Sequence, residues 1–118
     1  MNHGDILNKA VHKIFYEMGA DCILIVDIDA IPLSTEALEE TLHIAYSGHV
    51  VGNIQRSNHC DNDKHVYVGS SYNCFTRYTY ENAGSPTMCY NAKYDTCELL
   101  TVNDTERPEA KAAAVVVI

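Results

Sequence analysis

Two acids, Asp27 and Asp29, stand one residue apart at the end of the apolar run Cys22, Ile23, Leu24, Ile25, Val26. A short unbroken apolar run with polar ends predicts a strand buried on both faces. Side chains alternate along a strand, so the two carboxylates should face the same way where it leaves the sheet. Like charges that close repel, and a hard cation held by oxygen ligands relieves the repulsion. The spacing therefore predicts a site for a hard metal cation. The plainer reading is a solvated strand exit, since Asp is common in loops.

Those acids need elements to position them. Upstream, residues 4–18 read as a helix with Asp5 as N-cap. Its apolar stripe is Ile6, Leu7, Ala10, Val11, Ile14, Phe15 and Met18, with Gly19 at C′. A strand over 20–27 follows directly, which predicts one half of a parallel crossover unit. Pro32 stops that strand, and Ser34 or Thr35 caps a helix running to Tyr46, with Leu38, Leu42 and Ala45 facing inward. Residues 49–55 read as a strand, 56–63 as a polar loop, 65–68 as a short strand and 69–77 as loop then strand. A short helix is expected over 78–83, stopped by Gly84 and Pro86. Another is expected over 95–103, with Asp95 and Glu98 in capping-box spacing. The uncharged tail 112–118 reads as a terminal strand.

Composition narrows the function classes. At 118 residues the chain is one small domain, here taken as 1–118, or part of one. Acids outnumber Lys plus Arg by 16 to 8, and a net charge of −8 argues against nucleic-acid or membrane-surface binding, which need a basic footprint. No apolar run approaches the ~20 residues of a membrane span. Five cysteines without a CxxC pair, behind a polar start, predict a reduced cytoplasmic chain. A zinc site from Cys60, Cys74, Cys89 and nearby histidines fits no familiar spacing, and the sequon at Asn103 carries little weight in such a chain.

With these residues in view, the stretch 4–100 resembles the second half of glycosyltransferases of the GT-A fold, which move a sugar from a nucleotide diphosphate to an acceptor. Gly4, Asn8, Ala10 and Val11 look like the helix such enzymes place before their metal-binding strand. Residues 23–29 look like that strand with its DxD motif. Residues 72–77, on through Gly84, are similar to the segment lining the acceptor side. Asp95, Glu98 and Leu100 resemble the helix start that carries the catalytic acid, often preceded by Glu where Tyr94 stands here. The resemblance implies an α/β fold, namely a partial Rossmann-like, mostly parallel sheet flanked by helices. The family has two further βα units before this point, so it also implies either a fragment or a partner that supplies the missing half.

The resemblance implies roles as well. Mn²⁺ or Mg²⁺ on the diphosphate would offset the charge of the departing nucleotide. Asp29 would ligate it directly, with Asp27 acting through water or the ribose. Asp95 would deprotonate the acceptor hydroxyl, or simply cap its helix. Asn8, Gln55, Asn58 and His59 are the candidate donor-binding residues, and Arg56 reads as a surface cation beside them. Tyr72, Tyr78, Tyr80, Tyr90 and Tyr94 would offer an acceptor platform or plain core edges. The acceptor itself (glycan, protein or small molecule) is left open. Two rival readings stand beside this one. A haloacid dehalogenase-type phosphatase would use Asp27 as nucleophile and Asp29 as acid–base, but Ile31 occupies a position that such sites give to Thr or Val. A non-catalytic fragment would bind nucleotide or metal weakly. Missing strands would leave an open sheet edge, which predicts self-association.

Overall fold

The computed structural model describes residues 3–27, 34–56, 66–89 and 96–106. Helix α1 spans His3–His12 and continues as a π-helical turn, Lys13–Glu17. Strand β1 (Cys22–Val26), helix α2 (Thr35–Tyr46) and strands β2 (Val51–Arg56) and β3 (Val66–Thr76) follow. Helices α3 (Arg77–Asn82) and α4 (Glu98–Glu106) complete the described chain.

In α1, Leu7, Val11 and Phe15 recur every four residues and are buried, whereas Ile6 and Met18 of the expected stripe lie exposed. The π turn explains where the stripe fails. Met18 N donates to Lys13 O at 2.9 Å, so one extra residue is wound in and Met18 turns outward. Gly19, at φ +73°, then reverses the chain into β1. Each of Leu7, Val11 and Phe15 contributes about 1.5–3 kcal/mol by leaving water.

The sheet order is β1-β3-β2, and both pairings are antiparallel. The expectation of a mostly parallel sheet is corrected on this point: among the described residues no two neighbouring strands run parallel. The crossover itself survives in another form. Because β1 and β2 are each antiparallel to β3, they run parallel to one another. The unit β1-α2-β2 is thus a βαβ crossover split by a third strand returning between its halves. Helices cover both faces, so the chain is α/β. On one face, α1, the π turn and α4 pack Leu7, Val11, Phe15 and Leu100 against Ile23, Val68 and Phe75; on the other, Ala45 of α2 meets Val51 and Cys74.

Strand β1 also departs from expectation. Only Ile23 is fully buried in it, and Val26 is 39% exposed. Its apolar run reads as a central strand, but among the described residues β1 pairs only with β3 and stands at the edge of the sheet. The central place belongs to β3. Its residues Gly69, Ser70 and Ser71 look like loop in sequence, yet the strand runs through them. Ser34 caps α2 by accepting from Ala37 N at 3.1 Å, and Thr76 caps α3 by accepting from Thr79 N at 3.2 Å. Each cap is worth about 1 kcal/mol.

Candidate functional site at the carboxyl end of β1

The site is built around a bulge in β3. Gly52 pairs with Asn73 and Ile54 with Val68, so Asn53 alone on β2 faces residues 69–72 on β3. Side chains satisfy the backbone groups this irregularity frees. Val68 N donates to Thr101 Oγ1 at 3.1 Å, and Asn73 Nδ2 donates to Val68 O at 3.2 Å. Gly52 lies so near the Tyr72 carbonyl that a Cβ there would strike it.

The bulge carries Ser71 between the two outer strands. Asp27 N, one residue past β1, donates to Ser71 O at 2.9 Å. From the β2 side, Asn53 Nδ2 donates to Ser71 Oγ at 3.4 Å. Bulges concentrate beside functional sites because they re-aim side chains where pairing ends. The carboxyl ends of β1 and β2 lie at this same end of the sheet, and α2 runs away from it, with Thr41 at Tyr72 and then Ala45 at Cys74. In open α/β sheets, ligands bind outside the carboxyl ends of strands.

The predicted residues fall into three groups. Asp27 is at this end, half-buried and next to Ser71. Gln55 is in β2, opposite Tyr67 of β3, so the topology brings its backbone to the same end. Asp29, Asn58, His59 and Asp95 lie outside the described residues, as do Cys60, Tyr90, Tyr94 and the tail 112–118. Asn8 is engaged elsewhere. Its Oδ1 accepts from Met88 N at 2.7 Å, and its Nδ2 donates to Thr87 Oγ1 at 2.9 Å and to Cys89 Sγ at 3.3 Å. Asp5, expected to cap α1, instead accepts from Cys89 Sγ at 3.2 Å within the first turn. Gly4 permits this contact, since a Cβ there would meet the Cys89 backbone.

A carboxylate such as that of Asp27 suits a hard cation such as Mg²⁺ or Mn²⁺ in kind. Ligand number is another matter: among the described residues no group of three or more His, Cys, Asp or Glu side chains converges. The zinc alternative fails on topology. Cys74 packs under α2, whereas Cys89 contacts α1 on the opposite face of the sheet. Tyr72 belongs to the core, its hydroxyl 3.0 Å from Thr41 Oγ1 of α2; Tyr78 is exposed. Tyr80 stacks on Phe75 with ring centroids 6.0 Å apart.

Sequence reasoning missed the bulge and Asn73, a fully buried amide in the central strand. The signal was present in Gly69, since a glycine inside a strand pattern marks a bulge or a close backbone approach. It also missed the link from Asn8 to 87–89, which spans 80 positions and leaves no local trace.

No family model, curated protein or solved structure matches this chain. No helix among the described residues is long and apolar enough to cross a membrane.

Proposed function

We propose that the chain is a metal-dependent glycosyltransferase domain that moves a sugar from a nucleotide diphosphate donor to a hydroxyl acceptor. The observation that carries this reading is Asp27, fixed through its backbone to the β3 bulge at the carboxyl end of a split βαβ unit. Two features support it. Gln55 stands next to last in β2, which runs parallel to β1, and α2 begins at that end with its N-terminal amides, a favourable end for phosphate oxygens. In this reading Asp27 and Asp29 hold Mn²⁺ or Mg²⁺, which supplies Lewis-acid stabilisation to the leaving diphosphate. Gln55, Asn58 and His59 contact the donor, and Asp95 takes the acceptor proton. Asn8 holds 87–89 against α1 and makes no donor contact in this reading.

A donor-hydrolysis assay tests the reaction class. Purified chain is incubated with a panel of nucleotide sugars and Mn²⁺, in parallel with a generic phosphate ester. Release of nucleotide diphosphate that Asp95→Asn slows without weakening donor affinity supports the reading. Hydrolysis of the phosphate ester alone would replace it with a phosphatase.

A further inference from the structure

Two cysteines on the α2 face of the sheet form a site of their own. Cys22 pairs in register with Thr76, and Cys74 with Leu24, so the two thiols are diagonal neighbours across the β1–β3 ladder. Their sulfurs stand 3.6 Å apart, and Cys22 packs against the small cluster of Ala45, Val51 and Cys74. A disulfide needs an S–S distance of about 2.05 Å. The remaining gap is small enough for side-chain rotation within an existing contact, without strand separation.

We propose that Cys22 and Cys74 are a redox-active dithiol that closes reversibly to a disulfide when a hydroperoxide reaches the open edge of the sheet. The exposures divide the labour. Cys22 is half-buried on the edge strand, where an oxidant can reach it, and Cys74 is fully buried behind it. The Cys22 sulfur attacks the peroxide, forms an S–O bond and breaks the O–O bond, leaving a sulfenic acid and releasing water or an alcohol. The Cys74 sulfur then attacks the Cys22 sulfur. The S–S bond forms, hydroxide leaves and takes the Cys74 proton as a second water. The peroxide is reduced by two electrons and the thiol pair is oxidised by two. The surroundings favour this order: the contact with Cys74 holds the Cys22 thiol below its ordinary range, and the same contact pushes Cys74 upward. Burial, and to a smaller extent the charge of Asp21, oppose the effect on Cys22 but do not reverse it.

Closure would tie the edge strand to the central strand at the end of β1 remote from Asp27. The test is mass spectrometry of the whole chain after treatment with equimolar hydrogen peroxide, followed by non-reducing peptide mapping. The wild-type chain should lose two hydrogens, yield a linked peptide containing Cys22 and Cys74, and regain both hydrogens with dithiothreitol. Cys22→Ser, checked by circular dichroism to be folded, should lose no mass. A link joining any other pair, or oxygen added at Cys22 with Cys74 still a free thiol, would overturn the proposal.

Discussion

Replacing Asn8 with alanine should destabilise the fold far more than an ordinary helix-surface substitution. Two bonds set the magnitude. Asn8 Oδ1 accepts from the backbone of Met88, a residue with no exposed surface, at 2.7 Å. Leaving that donor without an acceptor costs about 1–3 kcal/mol. The bond to Thr87 Oγ1 at 2.9 Å lies at the surface and adds less, about 0.5 kcal/mol. The contact with the Cys89 sulfur is weak and is set aside. The expected loss is about 2 kcal/mol, against about 0.5 kcal/mol or less for a neutral surface change. For a chain of this length it lowers Tm by about 8 °C. Urea unfolding monitored by circular dichroism measures the loss, with Lys9→Ala as the exposed control on the same helix. Asn8→Asp separates the two kinds of bond, because it keeps the acceptor for Met88 N and removes the amide donors. It should fall between wild type and alanine. If Asn8→Ala costs no more than Lys9→Ala, the segment 87–89 is not held by Asn8 and the account of that contact is wrong.

Three further outcomes follow. Thr41→Val leaves the buried Tyr72 hydroxyl without its partner at 3.0 Å and should cost about 1–3 kcal/mol, whereas the double variant with Tyr72→Phe should recover part of that loss; strictly additive urea stabilities would refute the coupling. Burial pushes the Cys97 thiol from 9.0 up to about 12. Between those values the unfolded chain gives up the proton and the folded chain keeps it, so stability should fall with rising pH, by at most about 1.4 kcal/mol per unit. Unfolding at pH 8 and pH 10 should show this decline reduced in Cys97→Ala, and equal declines would argue against it. Finally, the β1 edge, unpaired among the described residues, with Val26 39% exposed and no charged side chain in the strand, should make the chain self-associate at micromolar concentration. Light scattering measures this directly, and a monodisperse monomer is the contrary result.

The local elements were legible because their signals are local. The apolar spacing of Leu7, Val11 and Phe15, the Ser34 cap and the glycine stops at Gly19 and Gly48 each act within one or two turns of chain. Strand order was not legible. An uninterrupted apolar run fits a central strand, but the run Cys22–Val26 became an edge because β3 supplies the longer, better-covered partner for both β1 and β2. The polar look of Gly69, Ser70 and Ser71 hid that partner. Ser71 O accepts from Asp27 N and Ser71 Oγ from Asn53 Nδ2, while Thr101 and Asn73 satisfy the backbone of Val68 just before them. Of the candidate site, only what one strand can specify was readable: an acid at the carboxyl end of β1. The convergence of β1, β2 and the start of α2 on one end depends on the split crossover, which has no residue signature of its own.

The central claim is that Asp27 and Asp29 hold a divalent cation that in turn holds a nucleotide diphosphate. Calorimetric titration of uridine and guanosine diphosphate into the chain, with and without Mn²⁺, tests it most directly. The account predicts binding of at least one nucleotide that requires Mn²⁺ and disappears in both Asp27→Asn and Asp29→Ala, with the unfolding transition of each variant retained. Binding that ignores the metal, or that survives Asp29→Ala unchanged, would contradict it.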